Sequence, residues 1–117
     1  MDRKSKGKAA EEKAASYIKS LGYEILERNF NSRFGEIDII ARDGNTLVFV
    51  EVRSKSYSSF GTPEETISKS KAKKIIKTAE FYIKIKNPFF EDVRFDIISI
   101  LHNNISHIKN AFDMDFL

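Results

Sequence analysis

Residues 35–54 read GEIDIIARDGNTLVFVEVRS. Two runs rich in Ile and Val, Glu36–Arg42 and Thr46–Ser54, flank Asp43-Gly44-Asn45, a pattern that predicts a β-hairpin. Antiparallel partners run in opposite directions, so a two-residue turn at Gly44-Asn45 fixes the whole register, with Asp38 facing Glu51 and Glu36 facing Arg53. Side chains alternate, which puts these four on one face and leaves Ile37, Ile39, Val48, Val50 and Val52 as an apolar face on the other. A turn centred on Asp43-Gly44 would shift the register and separate the acids.

Carboxylates directly across a ladder have Cβ atoms about 5 Å apart and repel by roughly 3 kcal/mol at an effective dielectric near 20. A hard divalent cation offsets that repulsion. Mg²⁺ or Mn²⁺ is the expected cofactor, since Mg²⁺ typically takes one or two protein carboxylates and keeps its remaining positions for water and substrate phosphate. The alternative is an ion pair of Glu36 with Arg53, with one of Asp38 and Glu51 protonated or reaching water at a sheet edge. Glu51 lies inside Leu47-Val48-Phe49-Val50-Glu51-Val52, where an uncompensated charge is costly. Arg53 and Lys55 continue the Glu51 face, and a cation there stabilises negative charge developing on a phosphate. The Arg53 guanidinium stays protonated and serves electrostatically, whereas Lys55 carries an amine whose pKa can shift. Glu11 is a third candidate acid, because it shares a helical stripe with Ala14, Ala15 and Ile18. Its alternative role is to complement the helix dipole from an N-terminal turn.

Outward from the hairpin, Lys8 to Leu21 has apolar residues at helical spacing and Gly22 stops the helix. Tyr23 to Phe30 reads as a strand before a turn at Asn31-Ser32-Arg33. Thr62, Pro63 and Glu65 match the N-cap, first and third positions of a second helix, which ends near Asn87-Pro88. Val93–Leu101 and Ile105–Phe112 read as two further strands around an Asn103-Asn104 turn. The expected fold class is α/β, a mixed β-sheet flanked by helices with element order αβββαββ. The second helix is long enough to serve as the crossover between parallel strands.

The 117 residues are 41% hydrophobic, 32% charged and 12% aromatic, which fits one packed domain, 1–117, and excludes a disordered chain. Cysteine is absent, so disulfide scaffolds and thiolate chemistry are excluded. No apolar run approaches membrane-span length and the first residues are charged, so a cytoplasmic address is expected. The net charge is only +3, but Lys69, Lys71, Lys73, Lys74, Lys77, Lys84 and Lys86 face the single acid Glu80 between Ser68 and Lys86. That segment is either a phosphate-binding face or a solvated helix face. His102 and His107 match no common zinc spacing and receive no role.

Asp38 followed by Glu51-Val52-Arg53 resembles the PD-(D/E)XK nuclease signature. The likeness extends over Gly7 with Glu11, Gly22-Tyr23, Asn29-Phe30, Gly35-Glu36-Ile37-Asp38, Phe60-Gly61-Thr62-Pro63, Arg94-Phe95-Asp96 and Ile108-Lys109-Asn110-Ala111-Phe112. These residues are similar to the YraN-type family of small bacterial proteins. The resemblance implies a restriction-endonuclease-like fold related to archaeal Holliday junction resolvases, and with it a divalent metal and branched or structured DNA as substrate. It also implies that Glu11, Asp38 and Glu51 are the metal-binding acids and that Arg53 stands where lysine is usual, with Lys55 as a substitute on the same face. In its light, Thr62 and the lysine row Lys69, Lys71, Lys73, Lys74 and Lys77 become candidate DNA contacts. A homodimer would suit paired cuts in a junction. Three functions follow in order: a metal-dependent endonuclease, a non-catalytic nucleic-acid-binding module on a nuclease fold, and a structural partner whose acids are merely ion-paired.

Overall fold

A computed structural model describes residues 3–54 and 67–113, with side chains from Gly7 onward. Its elements are α1 (Arg3–Ser20), β1 (Glu24–Ser32), β2 (Gly35–Asp43), β3 (Thr46–Ser54), α2 (Lys69–Lys86), β4 (Asp92–Leu101) and β5 (Asn104–Phe112). This is the αβββαββ order that the sequence implies. The strands form one mixed sheet in the order β1-β2-β3-β4-β5, antiparallel except for β3 and β4, which run parallel across the α2 crossover.

Local chemistry sets the boundaries. Gly22, at φ 88, closes α1 with its N–H on Lys19 O at 2.9 Å, while Tyr23 N–H reaches Ile18 O at 3.3 Å, the double bond of a Schellman cap. Asn87 ends α2 in the left-handed region, immediately before Pro88. Several boundaries differ from the sequence reading, α1 beginning at Arg3 and β1 running to Ser32. The β1–β2 turn is Arg33-Phe34, because Ser32 pairs with Gly35 and its hydroxyl accepts the Phe34 N–H at 3.0 Å. The last turn is His102-Asn103, with His102 at φ 57. The N-cap of α2 is Ser68, whose hydroxyl accepts the Lys71 N–H at 3.1 Å; the Thr62-Pro63 start lies outside the described residues.

Both faces of the sheet are covered. Ala10, Ala14, Ala15 and Ile18 of α1 pack on Ile39, Ala41, Val48, Val50, Ile98 and Ile100, the alanines giving a close helix approach. On the other face Ala72, Ile75, Ile76, Ala79 and Tyr82 of α2 cover Ile37, Ile40, Leu47, Phe49, Phe95 and Phe112. There Phe49, Phe95 and Phe112 stack in sequence at centroid distances of 5.5 and 5.0 Å. Phe95 is the middle ring and 1% exposed, so Phe95→Ala should cost about 3–5 kcal/mol, read as a lowered urea midpoint with an unchanged slope.

A buried polar assembly interrupts the α1 face. Asp96, 1% exposed, accepts from Arg94 Nε at 2.9 Å and Nη2 at 3.1 Å, from the Asn110 N–H at 3.0 Å and from His107 Nε2 at 2.7 Å. The opposite ring nitrogen of His107 is 3.1 Å from the Tyr17 hydroxyl, and Arg94 also donates to the Tyr23 hydroxyl at 2.9 Å. Asp96 thereby joins α1, β4 and the edge strand β5. His107, assigned no role from sequence, has a structural one.

Candidate active site

The β2–β3 ladder pairs Asp43 with Thr46 through to Ile39 with Val50, which is the register of the two-residue Gly44-Asn45 turn. Gly44 takes φ 62 at the first turn position, as such hairpins require. Beyond Ile39 the backbone pairing ends, and Asp38 Oδ2 accepts the Val52 N–H at 2.8 Å. A carboxylate thus stands where the next strand carbonyl would be.

A matching irregularity lies on the other side of β2. Between the pairs Arg28–Ile39 and Phe30–Ile37, Asn29 adopts φ 52, a conformation that asparagine tolerates better than most side chains. Strict alternation fails here as well: Ile39 enters the α1-side core, as its register predicts, but Ile37 enters the α2-side core. The single apolar face expected for Ile37 and Ile39 is therefore divided at Asp38. The Asn29 amide donates to Glu11 Oε1 at 2.8 Å and to Glu36 Oε1 at 3.1 Å, tying α1 to β2.

The result is a concentration of negative charge. Carboxylate oxygens of Glu11, Glu36 and Asp38 lie within 4.8 Å of one another. Burial first, and then the charges of Glu51, Glu11 and Glu36, together push the Asp38 carboxyl up to about 7 against the opposing Val52 N–H. Glu51, 8% exposed, faces cations, with Lys71 Nζ at 3.1 Å and Arg53 Nε at 3.8 Å from its Oε1. A cleft of about 390 Å³ opens between Glu36, Asp38 and Glu51 and α2, with Lys71, Lys74 and Ser68 on its helix side, while Glu11 lines a neighbouring hollow with Arg28 and Asn29.

Of the residues singled out from sequence, Asp38, Glu51, Glu11 and Arg53 converge on this region from three elements. Glu11 stands in the third turn of α1, which removes the N-terminal dipole role as its explanation. Glu36 takes the Asn29 amide, and it joins Glu11 and Asp38 in the close carboxylate group while Glu51 stands beside Lys71. Lys71 and Lys74 line the cleft; Lys69, Lys73 and Lys77 are exposed on α2 and do not line it. Lys55 and Thr62 lie outside the described residues. Asn29 was missed as a site residue, since nothing in a strand-like sequence announces a left-handed residue.

Fold and cleft together define a mixed α/β protein whose central sheet parts around a cluster of acids facing lysines. The chain belongs to the family described as "Uncharacterised protein family UPF0102", the YraN type, whose model matches residues 10–100. It is 60% identical over 111 residues to a UPF0102 protein of Persephonella marina, covering 95% of this chain and 96% of that one. A UPF0102 protein of Sulfurihydrogenibium sp. is 45% identical over 115 residues, covering 98% and 100%. One from Caldicellulosiruptor saccharolyticus is 41% identical over 121 aligned positions, covering 96% and 100%. Among the described residues no helix is long and apolar enough to cross a membrane.

Proposed function

We propose that this protein is a metal-dependent endonuclease that hydrolyses phosphodiester bonds in branched or otherwise structured DNA. The observation that carries the reading is Asp38, a carboxyl held at the parting of two strands, raised to about 7 and surrounded by Glu11, Glu36 and Glu51. Carboxylates gathered this closely repel one another, and hard oxygen donors of this kind suit Mg²⁺ or Mn²⁺. Asp38, Glu11 and Glu36 would hold the cation, with Glu51 completing the negative wall. Such an ion supplies an activated water and charge stabilisation for phosphodiester hydrolysis.

The chain's own residues do the rest. Asn29 fixes the Glu11 and Glu36 carboxylates, and the Val52 N–H fixes Asp38. Lys71 and Arg53 balance Glu51, and Lys71, which lines the cleft, would meet a phosphate there. Lys71 thereby offers an amine next to the acids from α2, alongside the role expected of Lys55.

The test is incubation of the protein with junction, flap, duplex and single-stranded DNA in Mg²⁺ or Mn²⁺. Cleavage of at least one substrate is expected, and no cleavage of any by the folded protein would sink the reading. Mn²⁺ calorimetry adds a pH signature, because the cation competes with the Asp38 proton. Affinity should climb about tenfold per pH unit below 7 and level off above it. A flat profile from pH 5 to 8 would remove Asp38 from the metal site. The exposed lysines of α2 favour a second reading, a binding module without turnover, which tight salt-sensitive DNA binding with no product would establish.

A further inference from the structure

From the acidic cleft, α2 presents Lys71, Lys74 and Lys77 at three-residue intervals, and four residues on comes Phe81. At 1.5 Å per residue this row is about 15 Å long. At its far end Phe34, from the β1–β2 turn, meets Phe81 edge to face with centroids 6.3 Å apart, and Phe30 backs Phe81 at 6.3 Å. Phe34 and Phe81 are half-buried, with Arg33 over the Phe34 ring at 4.9 Å and Ile85 51% exposed beside them. Lys77, Lys84 and Glu80 rim this shallow apolar hollow.

The turn that carries Phe34 is held against α2. Ser32 Oγ lies 3.3 Å from Thr78 Oγ1, which itself donates to Lys74 O at 2.8 Å, and Gly35 next to the turn takes φ 153, a conformation that side-chain-bearing residues rarely adopt. Phe34 is therefore fixed relative to the cleft, which Gly35 also lines.

We propose that Phe34 and Phe81 form a stacking platform for unpaired bases of a DNA strand whose phosphates follow Lys77, Lys74 and Lys71 into the acidic cleft. The proposal rests on the reading of that cleft as a DNA site, and it makes an unpaired stretch beside the scissile bond the recognised feature of the substrate. Charge selects this occupant. Three cations against one acid around an aromatic hollow match an anionic backbone carrying π-faced bases, whereas an apolar peptide would have to desolvate those cations without compensation.

The experiment is fluorescence anisotropy with labelled oligothymidine, an abasic strand of equal length and a duplex, in EDTA and at low salt. Wild type should bind oligothymidine about tenfold more tightly than the abasic strand. Phe34→Ala and Phe81→Ala should each lose most of that margin while leaving abasic binding unchanged. Phe34→Leu keeps apolar packing without the π-face and should behave like Phe34→Ala, with thermal melts showing it folded. Equal affinity of wild type for the thymidine and abasic strands, or unchanged oligothymidine affinity in folded Phe34→Leu, would overturn the platform. So would a wild-type dimer in sedimentation that Phe81→Ala dissociates, since a second copy would then be the occupant. EDTA keeps catalysis out of the readout, so failure here leaves the cleavage test standing. Conversely, preference for unpaired bases without cutting of any substrate defeats the nuclease reading alone.

Discussion

Asp38→Asn is expected to abolish metal-dependent cleavage, by a factor of about a thousand or more, while making the protein more stable. Loss of activity follows from removing the anionic donor at the centre of the acid group. The gain in stability follows from linkage. In the folded protein Asp38 titrates near 7, but in the unfolded chain near 3.8, so between these values the folded state keeps a proton that the unfolded state has released. The stabilisation is complete below the unfolded value and is lost as pH rises through about 7, beyond which wild type bears the full penalty of a buried anion. Asparagine has no such penalty and its side-chain oxygen still accepts the Val52 N–H. At pH 8 the variant should be more stable by roughly 4 kcal/mol, or about 15 °C in Tm, and the difference should nearly vanish by pH 4. Saturating Mn²⁺ should raise the Tm of wild type but not of the variant, closing the gap. Full cleavage by Asp38→Asn, or a variant less stable than wild type at pH 8, would contradict this account.

Asp96→Ala should produce the opposite result, a large loss of stability at a residue outside the acid group. Asp96 is a buried anion satisfied by four donors, and its deletion takes the buried acceptor from Arg94 Nε, the Asn110 N–H and His107 Nε2. Removing one partner from a buried pair costs about 3–5 kcal/mol, a large share of the stability of a domain this size. Hydrogen bonds from His107 and Arg94 outweigh burial and hold the Asp96 carboxyl below its usual range. Its contribution is therefore fully present above the ordinary carboxylate pKa and lost as pH falls through the depressed value, so wild type should lose stability steeply only in strong acid. Hydrogen exchange should show β5 amides opening first in the variant. Unchanged β5 protection would show that the strand is held by its ladder alone.

How much of this was legible in the sequence depended on range. The hairpin was readable because Gly44-Asn45 and the alternation of Ile and Val are local, and the element order followed for the same reason. But the ladder stops at Ile39–Val50, so the expected pairs Asp38–Glu51 and Glu36–Arg53 do not form, although Asp38 and Glu51 do line one cleft. The close group of Glu11, Glu36 and Asp38 was only half visible, because it depends on Asn29 leaving the extended conformation and on Ile37 changing sides. Tyr23, Arg94, Asp96 and Asn110 stood out in the family likeness, but their joining into one assembly was not legible, since Tyr17 and His107 meet across 90 positions of chain and neither carries a motif. Turn positions slipped by one residue where Ser32 and His102 took conformations that composition does not specify.

The bond from Val52 N–H to the Asp38 carboxylate makes a backbone amide sensitive to the chemistry of the cleft. Its N–H donates to a side chain that titrates near neutrality, so its resonance in a nitrogen–proton correlation spectrum should move with pH and again with each equivalent of cation. A single cross-peak in the middle of the sheet would then report occupancy of the acidic cleft directly, with no substrate, label or enzymatic turnover.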